Sequence, residues 1–153
     1  MEPHVSDVAR VIQLAVAPVF LLTAVGTIIA ALNNRLGRII DRRRVLDDRL
    51  RALAPEQADT AGEYLREMDA LARRGRLIYY AMILAVLSAL LVCLLVAGAF
   101  VGAFVAVDLS RSVAALFVCA MFSLSGSLGV LLREVFVAVQ SSAHGFLSAR
   151  RRT

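Results

Sequence analysis

The sequence predicts an all-α, helical integral membrane protein: a single membrane domain over residues 1–153, with three transmembrane helices and a cytoplasmic antiparallel helical hairpin between spans 1 and 2. Three observations predict it. Long apolar runs occupy residues 11–32, 77–107 and 113–132. The arginines concentrate in only two of the segments that flank those runs. The segment between the first two runs carries two apolar stripes at helical spacing.

In the first run Gln13 is the only strongly polar side chain, with Thr23 and Thr27 as mild exceptions. As a helix its 22 residues cover about 33 Å, enough for a hydrocarbon core of about 30 Å. Glu2, Asp7 and Arg10 precede it, and it exceeds the apolar stretch of a signal peptide, so it is expected to remain as a span at 11–32. The second run has 31 residues without a charge, about 46 Å as one helix, so it must tilt or project from the bilayer. Tyr79 and Tyr80 favour the headgroup level and place the excess at the first end, which sets the span at about 80–104. The third run, 113–132, crosses once.

Orientation follows from arginine. Residues 33–76 hold eleven arginines and the tail from Arg133 holds four, whereas the loop between spans 2 and 3 offers Asp108 and Arg111. Excess basic charge marks cytoplasmic segments, so the N-terminus is expected outside and the C-terminus inside. The formal charge of +5 comes entirely from residues flanking the spans, with eight acids interleaved in 33–76. That pattern fits a solvated positive-inside loop and argues against a nucleic-acid partner.

Leu36, Ile39, Leu46, Leu50 and Leu53 follow a heptad interrupted at Arg43, which predicts that the first helix continues past the membrane until Ala54 and Pro55 end it. A second helix is expected from Thr60, capped by its hydroxyl with Glu63 reaching back, and Leu65, Met68, Leu71, Ala72 and Gly75 form its apolar face. The two stripes serve either an intrachain hairpin over 33–76 or a seam between subunits. Antiparallel helices on a short loop favour the hairpin.

Two polar constellations are candidate sites. Gln13, Thr23, Thr27 and Asn34 share an arc with Arg38 and Asp41 on the first helix, a stripe that either bonds its own backbone or lines a hydrated path. Arg35, Arg38, Asp41 and Arg42 leave the membrane at the boundary that Arg133 and Glu134 also reach, and opposite charges there invite pairing of Arg38 and Asp41 with Glu134 and Arg133. Small residues in spans 2 and 3, Gly98, Gly102, Ser123, Ser125, Gly126, Ser127 and Gly129, fit close helix packing. In a turn centred near Ser110, Cys93 and Cys119 fall about 12 Å apart along the helix axes, beyond disulfide reach. His4 and His144 lie near opposite ends of the chain and form no metal pair. No cofactor, metal site or catalytic residue is expected.

The segment Asn33-Asn34-Arg35-Leu36-Gly37-Arg38-Ile39-Ile40-Asp41-Arg42 follows an N-terminal span, and a charged helix and a two-span hairpin ending in Leu131-Leu132-Arg133-Glu134 come after it. With these features the chain resembles the bacterial domain-of-unknown-function family 2721 over nearly its whole length. The resemblance implies a small multi-pass protein of the bacterial inner membrane and carries no activity with it. The functional expectation is a homo-oligomeric structural or interaction protein in the lipid bilayer, not an enzyme. The alternative is an oligomeric ion channel or transport component lined by the first helix.

Overall fold

A computed structural model describes residues 3–53, 57–105 and 109–150, with side chains described for residue 16 and for 18–53, 57–102, 104–105 and 109–138. Three helices make up the described chain: α1 (Pro3–Arg51), α2 (Ala58–Val105) and α3 (Ser110–Arg150). Each is long and apolar enough to cross a membrane, and no strand occurs among the described residues. With 49, 48 and 41 residues the helices measure about 74, 72 and 62 Å along their axes, roughly twice a hydrocarbon core or more. Each therefore carries a membrane-length stretch and a long extension.

The ends differ from the sequence expectations in informative ways. α1 stops at Arg51 because the chain tightens ahead of Pro55: the Ala52 amide is shared between the Asp48 and Arg49 carbonyls at 3.2 Å each, and the Leu53 amide donates to Leu50 at 3.4 Å. Ala54 and Pro55 lie outside the described residues. α2 starts at Ala58, with the Ala61 amide donating to the Gln57 carbonyl at 3.1 Å, so Thr60 stands inside the helix and is not its cap. Ala58 is a strong helix former and Asp59 in the first turn complements the helix dipole, which extends the helix backward past Thr60. α1 passes through Pro18 as one helix. α3 runs well beyond 132, since no proline or glycine interrupts it before Gly145.

The chain falls into two compact units, Met1–Ala30 with Met82–Ser127, and Ala31–Ala81 with Leu128–Thr153. All three helices contribute to both. The first unit is almost free of charge, and the second holds fifteen of the seventeen arginines.

In the first unit Val25, Ala85 and Leu124, one from each helix, form a buried cluster against which Leu21, Ile28, Ile29 and Ala89 pack. α2 and α3 are joined by two hydroxyl donors, Ser88 to the Ala120 carbonyl at 2.9 Å and Ser123 to the Leu84 carbonyl at 2.8 Å. Such contacts need close backbones, and Gly126 supplies one: a Cβ there would lie 3.5 Å from Leu84 Cδ1. Ser125 and Gly129 are exposed and take no part in this packing. Cys93 lies on α2 and Cys119 on α3. Both are free and exposed. Phe20, Phe104 and Phe122 also stand out from the helices, Phe104 with 82% of its surface uncovered. Apolar rings so placed match lipid contact.

In the second unit the large buried apolar side chains of α1 and of α2 recur at seven-residue intervals, with Ala81 buried beside them. Leu32, Ile39 and Leu46 on α1 and Leu71 and Ile78 on α2 are all buried. Leu36, Leu50 and Leu53 are half-buried, Met68, Ala72 and Gly75 likewise, and Leu65 is exposed. A Cβ on Gly75 would meet Ile39 Cγ2 at 3.8 Å and Leu36 Cδ1 at 4.0 Å, so the α1 and α2 stripes lie against each other within one chain.

Candidate functional site

Polar residues occupy the second apolar position of the same heptads. On α1, Arg35 lies between Leu32 and Ile39, and Arg42 between Ile39 and Leu46. On α2, Glu67 precedes Leu71, and Arg74 lies between Leu71 and Ile78. A residue three after one seam position and four before the next shares its face, so these side chains point along the helix interface. On α3, Ala120, Ser127 and Glu134 repeat at seven-residue spacing and all three are buried. Glu134 therefore stands where an apolar core residue belongs.

Glu134 is 1% exposed and its carboxylate is held from both sides. Arg35 Nη1 donates to Oε2 at 2.8 Å. Arg74 donates to Oε1 twice, from Nε at 3.2 Å and from Nη2 at 2.9 Å. The clamp thus draws one side chain from each helix. A buried carboxylate is costly unless it is paired and hydrogen-bonded, and here both oxygens are occupied by charge-assisted bonds. Arg35 and Arg74 keep 37% and 27% of their side-chain surface exposed, so the positive charges are less desolvated than the negative one. A second pair, Arg42 with Glu67 at 2.8 Å, joins α1 to α2 at a half-exposed place and contributes little by itself.

Beside the clamp lies a cavity of about 290 Å³ lined by Arg35, Arg38, Ile39, Arg42, Leu71, Arg74 and Glu134. Four of its seven lining residues are arginine, so guanidinium donors predominate on its walls.

The structure brings together part of the charge cluster expected from the sequence. Arg35 and Glu134 bond directly, Arg42 turns to Glu67, and Arg38 lines the cavity. Pairing of Arg38 and Asp41 with Glu134 and Arg133 is replaced by Arg35 and Arg74 on Glu134, because Arg38, Asp41 and Arg133 lie off the seam and are exposed. Arg74 was absent from the sequence-derived set, although its place between Leu71 and Ile78 was the signal that marks it. In the polar stripe, Thr23 donates to the Val19 carbonyl at 3.4 Å and Thr27 to the Thr23 carbonyl at 3.1 Å. Both threonines and Asn34 are exposed, and the Gln13 side chain lies outside the described residues. Among the described residues no group of His, Cys, Asp and Glu has the arrangement of a metal site.

A family model described as "Protein of unknown function (DUF2721)" matches residues 15–143. The chain belongs to the DUF2721 family. The matched stretch contains Arg35, Arg74 and Glu134, so the whole clamp lies within the DUF2721 region. No curated protein and no solved structure matches the chain.

Proposed function

We propose that this DUF2721 protein is a homo-oligomeric structural or interaction protein of a bacterial inner membrane, without enzymatic activity, its N-terminus outside and its C-terminus and arginine-rich unit in the cytoplasm. The observation that carries the reading is Glu134, a buried charge at a core position that takes one arginine from each of the other two helices. A polar residue at a core heptad position specifies register at some cost in stability, which suits a scaffold that must hold one arrangement of its helices. The partition of arginine supports the orientation. Only 11% of the most apolar stretch of α1 is buried within the chain, which leaves a long face for lipid and for a second copy. The channel reading gains no support from Thr23 and Thr27, whose hydroxyls are engaged by carbonyls of their own helix.

Mass measurement of the full chain in nanodiscs tests the assembly. One defined multiple of the protomer is expected, and a particle holding one chain at all concentrations rejects it. Reporter fusions should place residue 10 and Ser110 outside and residues 55 and 151 inside, and a cytoplasmic signal at Ser110 rejects the topology. Ion flux in liposomes above that of empty liposomes, abolished by Thr23→Ala and Thr27→Ala, would replace the scaffold by the channel.

A further inference from the structure

The geometry points to a phosphate group as the ligand of the arginine cavity, carried by an anionic phospholipid headgroup or by a free phosphate. This deepens the proposed function and rests on its placing of the charged unit at the cytoplasmic membrane surface.

The argument begins with donors. A guanidinium has five N–H groups. Arg35 uses one of them on Glu134 and Arg74 uses two. Arg42 is held to Glu67 through Nε and Nη2, and Arg38 has no ion pair among the described residues. Several donors on four cavity-lining arginines therefore remain for an acceptor. Glu134 does not close the cavity to anions, because both of its oxygens are engaged. It holds Arg35 and Arg74 side by side, as a preorganised pair. The carboxylates of Glu134 and Glu67 offset two of the four positive charges, and the remainder suits the one or two negative charges of a phosphate ester. Planar guanidinium forks match both carboxylate and phosphate oxygens, and a phosphate offers more acceptor oxygens than a carboxylate for several arginines at once.

Position argues for a lipid source. Arg35 follows the end of the first apolar run by three residues, Arg74 precedes the second by three, and Glu134 follows the third by two. Helices entering a bilayer hold such residues at headgroup level, where basic pockets between helices take anionic headgroups. Ile39 and Leu71 add apolar wall beside the arginines, suited to the carbon adjoining a headgroup phosphate. The larger cavity of about 360 Å³, lined by Ile40, Arg43, Arg44, Asp47 and Met68, has no buried polar group and an acidic residue that already pairs with Arg51.

The test is native mass spectrometry of the full chain in non-ionic detergent, titrated separately with phosphatidylglycerol and phosphatidylcholine, each with and without millimolar inorganic phosphate. Phosphatidylglycerol adducts are expected to persist where phosphatidylcholine adducts dissociate. Arg38→Gln, which leaves the clamp intact, should weaken them roughly tenfold, the worth of one charge-assisted hydrogen bond. Arg49→Gln, an exposed charge outside the cavity, should leave them unchanged. Adducts that resist inorganic phosphate support the lipid source. Displacement by phosphate, with thermal protection by phosphate that Arg38→Gln removes, supports the free ligand. Equal retention of the two lipids with no effect of phosphate overturns the proposal, as does wild-type binding by Arg38→Gln. Failure of the scaffold reading shows elsewhere, as a ligand-free Arg74→Ala protein with undiminished stability.

Discussion

Replacing Arg74 with alanine probes the clamp most directly, because it removes two of the three hydrogen bonds that hold Glu134. Removing one partner of a fully buried ion pair costs about 3–5 kcal/mol. Two features of the site lower that figure: Arg35 stays on the other oxygen, and Arg74 is 27% exposed, so solvent already screens it. The expected cost is about 2–3 kcal/mol. Arg35→Ala removes one bond from a more exposed side chain and should cost about 1–2 kcal/mol. Glu134→Leu keeps much of the volume and removes the buried charge, and its two former partners can turn to water or headgroups, so it should cost under about 1 kcal/mol. The double variant Arg74→Ala, Glu134→Leu should then be more stable than Arg74→Ala alone. The assay is unfolding in a fixed mixed micelle titrated with denaturing detergent and followed by loss of helical circular dichroism. A coupling of about 1.5 kcal/mol or more between positions 74 and 134 is expected. Additive effects within about 0.5 kcal/mol would refute the clamp as the element that holds the three helices.

The remaining predictions concern packing. Leu46→Ala removes a fully buried side chain from the α1 seam and should cost about 2–5 kcal/mol in the same titration, whereas Leu65→Ala, on an exposed position, should stay within about 0.5 kcal/mol. Gly75→Ala has room for its methyl group at 3.8 Å from Ile39 and should raise stability by up to about 1 kcal/mol, while Gly75→Leu should lower it; equal effects of the two would mean that α1 and α2 do not meet there. Ser88→Ala and Ser123→Ala should each cost about 0.6 kcal/mol, since each removes a separate α2–α3 hydrogen bond. Arg42→Cys with Glu67→Cys should be joined within one chain by a short bifunctional thiol reagent, since the ion pair brings the ends of these two long side chains together; crosslinks found only between chains would move the heptad seam to a subunit interface.

Much of the helical architecture could be read from the chain itself because the relevant signals are local. A run of apolar residues long enough to span hydrocarbon is a property of 20 or so consecutive residues, and the three runs became three helices. The stripe through Ile39 and Leu46 and the one through Leu71 were likewise visible from spacing, and those residues are buried. Boundaries were less legible: Thr60 carries a capping signature, yet Ala58 and Asp59 start α2 earlier, and the extension of α3 toward Arg150 has weak periodicity after the charges at 133 and 134.

The pairing of charges belongs to tertiary structure. Arg35, Arg38 and Arg42 are all within seven residues of each other, and the sequence reading chose Arg38 as the partner for Glu134, where the structure has Arg35. Which one reaches it depends on the rotation of α1 and its register against α3, 99 residues away along the chain, and Arg74 enters from 60 residues away. The apolar contacts of Leu32, Ile39, Leu71 and Ile78 set that rotation, because burying them points positions 35 and 74 inward and leaves 38 at the rim. Hydropathy therefore determined that there are three helices and where their apolar lengths lie, while only the packed seam decided that a single glutamate would be buried between two particular arginines.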